Sequence, residues 1–164
     1  VLCAPGGFGA TDAMLDEAFM REIRRLGAGA KYLTSVCTGS LILAAAGFLQ
    51  GKRAACHWAW RDLLEPFGAI VDERRVARDG NIITGGGVTA GIDFAFVLLA
   101  ELAGEDYAKS VQLGLEYAPE PPFQAGRPEL APPEILAQVK ARLGALMDAR
   151  ASAAVEAAGR LQPA

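Results

Sequence analysis

Cys37 is the residue of this sequence best placed to act as a nucleophile. It lies where a β-prone run, 32–36, passes directly into a small-residue helix predicted over 38–46. A side chain at such a strand-to-helix elbow projects from the backbone, as in the G-x-S-x-G pattern, and the start of the following helix favours a thiolate. Gly39 would allow close packing behind it. The alternative is a small buried cysteine at a tight corner.

A second corner, rich in glycine, follows a strand predicted over residues 1–4. Gly6 and Gly7 there let backbone N–H groups approach a reacting atom, as in an oxyanion-binding site. An ordinary glycine-rich turn is the alternative. Ligands of parallel α/β sheets bind at the carboxyl ends of the strands, so the pairing of two such corners favours a site.

His57 is the one histidine in the sequence. A Cys–His couple is one way to form a thiolate, and His57 lies one strand–helix unit beyond Cys37. Beside Trp58 and Trp60, it equally fits a hydrogen-bonded residue of a pocket wall. A metal site made of Cys37, Cys56 and His57 has no supporting spacing, so no metal is expected.

A triple glycine at 85–87 follows a predicted strand and opens a predicted helix. With Val88, Thr89 and Ala90 it meets a loose G-x-G-x-x-A pattern. The acidic residue that a dinucleotide site needs after a following strand is absent, because helix follows helix here. We therefore expect a turn that brings backbone close to a pocket, and no cofactor.

The elements that must position these corners alternate between strands and helices. Asp12 is predicted to cap a helix that ends at Gly27 and Gly29, and the Asp-Gly pair at 79–80 predicts a hairpin. The run 90–102 is apolar all round and predicts a buried helix. The alternation predicts an α/β fold with a mostly parallel sheet covered on both faces.

The C-terminal third begins with an irregular, proline-rich segment at 118–133. Pro133 is well placed to begin a last helix. The alanine-rich segment after Arg150 is predicted to fray. The sequence thus predicts one domain over 1–150 and a tail over 151–164.

Composition excludes several classes of protein. The 164 residues are 52% hydrophobic and 21% charged, as in a folded domain and unlike a disordered chain. A net charge of −3 offers no basic surface for nucleic acid, and no apolar run is long enough to cross a membrane. Three cysteines without a Cys-x-x-Cys pair favour a reducing compartment, so a cytoplasmic location is expected.

Several motifs together resemble the ThiJ/PfpI superfamily, the flavodoxin-like relatives of class I glutamine amidotransferases. The matching segments are APGG at 4–7, VCTGS at 36–40, TGGG at 84–87 and TAGID at 89–93. Within the superfamily, the isocyanide hydratases are similar at ACHWAWRDLL, 55–64, and LEYAPEPPF, 115–123. The resemblance implies a flavodoxin-like three-layer sandwich.

The same resemblance implies a reaction. Cys37 would attack the terminal carbon of an organic isocyanide to give a covalent thioimidate, which water would hydrolyse to an N-substituted formamide. Thr38 would hydrogen-bond around the site, and the backbone of Gly6 and Gly7 would face the same pocket. A homodimer and cofactor-independent chemistry are implied as well.

The proton donor for the isocyanide carbon is an acidic residue that family members carry before the segment matching Val1. We therefore expect the N-terminal βαβ unit to be absent from this chain and one sheet edge to be exposed. No acid role is assigned to Asp12, Asp16 or Glu17, which lie on the helix after the glycine corner. The candidate pocket residues are His57, Trp58 and Val88, with Phe8, Trp60 and Phe123 as aromatic residues that fit a pocket or a core.

Three relatives of the same fold are rivals. PfpI-type peptidases carry His directly after the nucleophile, where this sequence has Thr38. Glyoxalase or deglycase enzymes use a Cys, a Glu and a more distant His, a spacing that Cys37 and His57 fit. The ligand-sensing domain of AraC-type transcription regulators is similar around both residues, but helix-turn-helix domains are not expected after Pro133.

Overall fold

The computed structural model describes residues 1–161, in which a four-stranded sheet has helices on both faces. Three parallel strands stand in the order β1, β2, β6, and β5 pairs antiparallel with β6 at one edge. Two short parallel strands, β3 and β4, form a separate sheet. The bounds are β1 Leu2–Ala4, β2 Leu33–Val36, β3 Arg53–Ala54, β4 Ile70–Val71, β5 Val76–Asp79 and β6 Ile82–Gly85.

Two unequal layers of helices cover the sheet. The larger layer contains a 3₁₀ helix, Arg61–Phe67, and four α-helices, and the smaller layer contains two α-helices packed on each other. The α/β prediction with a mostly parallel sheet is therefore confirmed. The larger layer has α1 Ala10–Leu15, α2 Glu17–Ala28, α3 Gly39–Ala45 and α6 Pro133–Gly159; the smaller has α4 Ala90–Ala103 and α5 Glu105–Gly114.

Alternating side chains of the central strands supply both cores. Leu33 and Ile82 join the large hydrophobic cluster under α1, α3 and α6, whereas Ile83 packs with Phe94 of α4 on the opposite face. Successive residues of a strand point to opposite faces, which explains why neighbours in sequence enter different cores. At the outer edge, β1 pairs with β2 alone within residues 1–161, as the expected open edge requires.

The helix predicted to start at Asp12 is in fact two helices. α1 ends at Leu15, and Asp16 then adopts an extended conformation and caps α2. One carboxylate oxygen of Asp16 accepts hydrogen bonds from Ala18 N (2.9 Å) and Phe19 N (3.0 Å). Asp12 was the wrong cap because the apolar spacing continues across the break and conceals it.

Gly27 does not end α2, contrary to prediction, because the helix continues through it to Ala28. Its missing side chain makes room for a neighbouring ring: a Cβ there would stand 2.3 Å from Cζ of Phe48. Gly29 is the residue that follows the helix, as predicted. The predicted hairpin is present, with Asp79 paired to Ile82, so the two-residue loop is 80–81.

The predicted fraying after Arg150 is wrong for residues 151–159, which continue α6. Their small side chains let the helix approach the larger layer closely, and four alanines on one face are buried: Ala153, Ala154, Ala157 and Ala158. Composition alone cannot reveal this packing. Residues 162–164 of the predicted tail lie outside the described part of the chain.

The prediction that α4 is buried is also wrong. Ala90 and Phe94 are buried, but Ile92 is 47% exposed and Leu102 is 51% exposed. The sheet and α5 cover only part of the helix circumference, so some apolar side chains face outward. Within residues 1–161, no helix combines the length and the apolar character needed to cross a membrane.

Candidate active site

The structure places Cys37 at the predicted elbow between β2 and α3. Its φ of 60° lies in the left-handed region, which few residues other than glycine adopt. The surrounding backbone holds this conformation: Cys37 N donates to Gly85 O at 3.0 Å, and Ser40 N donates to Cys37 O at 3.4 Å. Cys37 is partly exposed.

Glycines on both sides of the elbow allow the two corners to touch. A Cβ on Gly39 would stand 1.9 Å from Ala4 O, so α3 begins directly against the end of β1. A Cβ on Gly6 would stand 2.7 Å from Thr38 N and 2.8 Å from Cβ of Cys37. The sequence thus brings the glycine corner into backbone contact with the nucleophile candidate.

Thr38 connects the two corners by hydrogen bonds. Its hydroxyl is buried, accepts from Gly7 N at 3.0 Å and donates to Gly7 O at 3.3 Å. The Gly7 N–H is therefore engaged, in contrast to the expectation that it faces a substrate. Among residues 1–161, the N–H groups of Gly6 and Thr38 donate no hydrogen bond, which leaves them as donors for a ligand.

His57 is a wall residue and makes no hydrogen bond to Cys37 within the described residues. Its Nδ1 accepts from Ala59 N at 3.2 Å, which is the arrangement of a neutral ring. The ring lies 4.8 Å from that of Trp60 and 5.6 Å from that of Trp58, centroid to centroid. Burial lowers the pKa of His57, and the positive charge of Arg150 lowers it further.

A cleft of about 270 Å³ opens next to this wall. His57, Trp58 and Val88, the three pocket candidates, all line it, but Cys37 and Thr38 do not. The two regions meet through the strand end of β6, because Gly85 holds the Cys37 backbone and the next two glycines line the cleft. The remaining lining residues are Cys56, Arg61, Glu73, Arg74, Arg75, Gly86, Gly87, Thr89, Ala90, Gly126, Arg127, Pro128 and Glu129.

The other aromatic candidates are not part of the cleft lining. Phe8 is 83% exposed and Phe123 is 79% exposed, so neither belongs to a core. Trp60 is buried beneath His57 and joins the large hydrophobic cluster.

Comparison with known proteins places the chain in a family. The model of the DJ-1/PfpI family matches residues 1–101, more than half of the 164. The chain belongs to the DJ-1/PfpI family. An isonitrile hydratase of Pseudomonas putida is 52% identical over 161 residues, which are 98% of this chain and 71% of that protein.

A solved structure gives the same family for this DJ-1/PfpI protein. The crystal structure of a ThiJ/PfpI family protein from Pseudomonas syringae superposes with a TM-score of 0.90 at 46% identity. The match covers 93% of this chain and 64% of that one. The HTH-type transcriptional regulator CdhR of Pseudomonas aeruginosa is 35% identical over 96 residues, which are 57% of this chain and 29% of the regulator.

Arg150 of this DJ-1/PfpI protein is a site neighbour that sequence reasoning missed. It is 1% exposed, and its Nη2 donates to Gly7 O at 3.0 Å and to Phe8 O at 3.2 Å. The signal was one arginine ahead of an alanine-rich stretch, but that stretch was predicted to fray. A buried helix face would have been the better interpretation, because arginine is almost never fully buried without partners.

Asp16 and Glu17, the acidic residues that follow Asp12 in the sequence, make structural contacts. Asp16 caps α2, and Glu17 pairs with Arg160 at 2.8 Å. Neither contact is at the elbow. These contacts agree with leaving both residues out of any acid role.

The half-buried neutral ring of His57 predicts a pH effect on stability. Its folded pKa is lowered, so below about pH 6.5 the unfolded chain binds the proton more readily than the folded one. We expect the free energy of unfolding to fall as pH drops from 7.0 to 5.5, measured by urea denaturation. His57→Gln should flatten this slope, and an unchanged slope in that variant would contradict the assignment. Carboxylates with lowered pKa values, such as Asp72, act only at lower pH.

Proposed function

We propose that this protein hydrates organic isocyanides to N-substituted formamides, with Cys37 as the nucleophile. The observation that carries the proposal is the left-handed Cys37 elbow in backbone contact with Gly6 and hydrogen-bonded through Thr38 to Gly7. The 52% identity to an isonitrile hydratase supports the substrate class. The reaction is a lyase-type hydration without a redox step.

In the first step, the Cys37 thiolate forms an S–C bond to the terminal carbon of R–N≡C. The same carbon takes a proton, giving the thioimidate R–N=CH–S–Cys37. Water then adds to that carbon and the nitrogen takes a proton. The C–S bond then breaks to release the thiolate, and the hydroxyl gives up a proton that replaces the one taken up in the first step. This leaves R–NH–CHO, so the net change is addition of one water. The proton donor is not assigned to a residue of this chain.

The free backbone donors support the second step. When water adds to the thioimidate, an oxygen-bearing tetrahedral centre forms beside the sulfur. The N–H groups of Gly6 and Thr38, which donate no hydrogen bond within residues 1–161, would donate to that oxygen. Thr38 Oγ1 has a separate role, because it fixes Gly7.

The cleft supports binding of the organic group of the isocyanide. The aromatic rings of His57 and Trp58 line it, and Val88, 78% exposed, adds an apolar side chain at its rim. A neutral His57 suits an uncharged substrate. A homodimer and a cytoplasmic location complete the proposal, and the exposed Ile92 and Leu102 of α4 support a partner surface.

Ligand sensing is the second candidate function. The 35% identity over 96 residues to CdhR, a transcriptional regulator, favours it. The missing hydrogen bond between His57 and Cys37 gives no support to a glyoxalase or deglycase mechanism.

The experiment is turnover of an aryl isocyanide by the complete protein that carries this sequence. Formamide should appear in proportion to enzyme, followed by ultraviolet absorbance and identified by mass spectrometry. Methylglyoxal serves as the parallel substrate. Consumption of methylglyoxal without formamide would contradict the proposal in favour of a glyoxalase, and saturable binding of the isocyanide without turnover would favour a sensor.

A further inference from the structure

We infer that Arg150 is a positioning residue of the active site, which holds the glycine corner against Thr38 and the Cys37 elbow. The inference rests on the proposed function for the identity of the substrate. The contacts of the guanidinium themselves do not depend on it.

The charged side chain of Arg150 is buried without a carboxylate partner among residues 1–161. Arg150 is 1% exposed, and no acidic residue lies within salt-bridge distance among residues 1–161. Instead Arg150 Nε donates to Thr11 Oγ1 at 3.0 Å, and Arg150 Nη2 donates to the carbonyls of Gly7 and Phe8. Burying an unpaired charge is costly, and an apolar residue of similar size would pack at lower cost. The contacts made by the guanidinium are therefore what this position requires.

Hydrogen bonds connect Arg150 through Gly7 to Thr38, the residue next to Cys37. Gly7 contacts both residues through its own backbone. Its carbonyl accepts a hydrogen bond from Arg150, and its N–H donates one to Thr38 Oγ1. Gly7 has a φ of +150°, which glycine adopts without strain but as one of many accessible conformations, so it relies on external support to stay in this one. Arg150 provides that support and thereby fixes the donors opposite Cys37.

The guanidinium also lies over the ring of Trp60, which is buried behind the His57 wall of the cleft. Its central carbon lies 4.5 Å from the centroid of the Trp60 ring, and Trp60 packs against His57. Burial lowers the pKa of Arg150, and a negative charge on the nearby Cys37 sulfur would partly offset this. Arg150 thus joins the corner, the elbow and the wall.

The test compares three variants of the complete protein. Arg150→Lys keeps the charge but loses the fork that reaches three acceptors at once, and Arg150→Met loses both. Arg160→Met is the matched control, because Arg160 follows α6 and also donates to a backbone carbonyl, Leu15 O at 3.0 Å, away from the elbow. We expect both Arg150 variants to lower kcat by about tenfold or more with a smaller change in KM, and Arg160→Met to leave kcat unchanged.

Readouts other than turnover distinguish positioning from simple stability. In a further variant, Arg150→Ala, which leaves the space of the side chain empty, added guanidinium ion should restore part of the kcat, and it should not affect Arg160→Ala. The NMR titration of His57, assigned through His57→Gln, should move to a higher pKa in Arg150→Met and less in Arg150→Lys. Where Arg150→Met melts below the assay temperature, Arg150→Lys carries the same comparison.

Two results would overturn the inference. One is a kcat for both Arg150 variants equal to that of Arg160→Met at matched folded fraction. The other, which remains informative if no isocyanide is turned over, is an unchanged rate of Cys37 alkylation by iodoacetamide together with an unchanged His57 titration in Arg150→Met. If the protein does not hydrate isocyanides but Arg150 is a positioning residue, Arg150→Met should still change the Cys37 alkylation rate and the His57 titration.

Discussion

Cys37→Ala should reduce isocyanide turnover by about 1,000-fold or more while the protein stays folded. The sulfur is the only group that forms and breaks a bond to substrate carbon in the proposed reaction, so no neighbouring group replaces it. Alanine keeps Cβ and therefore the backbone contact with Gly6. The measurement is formamide formation per enzyme, with the melting temperature recorded alongside.

The other two cysteines provide the contrast. Cys3 is exposed on β1, so Cys3→Ala should retain full activity and serves as the matched control. Burial raises the pKa of Cys56 far above its usual range, which keeps that thiol protonated and unreactive. Peptide mapping after brief iodoacetamide treatment should find label on Cys37 first. Turnover that survives Cys37→Ala would exclude the covalent mechanism.

Gly39→Ala should destabilise the fold by about 3 kcal/mol or more. The new methyl would stand 1.9 Å from Ala4 O, 2.7 Å from Ala4 C and 2.9 Å from Pro5 C, all of them backbone atoms that no rotamer change can move. Relief requires α3 to separate from β1, which also moves Cys37. Urea denaturation followed by circular dichroism measures the loss.

Gly144→Ala is the control with the opposite sign. Gly144 lies inside α6, and a Cβ there would meet no atom within 4 Å. Alanine should therefore stabilise the protein by about 0.5–1 kcal/mol through its higher helix propensity. An equal unfolding midpoint for Gly39→Ala and the unchanged protein would show that α3 does not depend on this close approach.

Features that depend on neighbouring residues alone could be predicted from the sequence. The elbow at Cys37 and the hairpin near Asp79 follow from residue types within a few positions, and both are present. Asp16 was missed because the apolar pattern of α1 continues into α2 across the cap. Local pattern thus predicted which elements exist better than where they begin and end.

Arg150 could not be predicted in the same way, because its meaning depends on a distant partner. Gly7, whose carbonyl it binds, lies 143 positions earlier in the chain. The alanines that follow Arg150 carry no amphipathic signal strong enough to show that they are buried. The exposure of Ile92 similarly depends on how much of α4 its neighbours cover, which the sequence of α4 does not contain.

The distance along the chain between Arg150 and the glycine corner has a consequence for synthesis. A chain that leaves the ribosome at about 5–20 residues per second delivers Arg150 about 7–29 s after Gly7. The elbow and the corner are therefore synthesised well before the arginine that contacts the corner, which arrives with α6. During that interval the nascent chain carries the Cys37 elbow without this support.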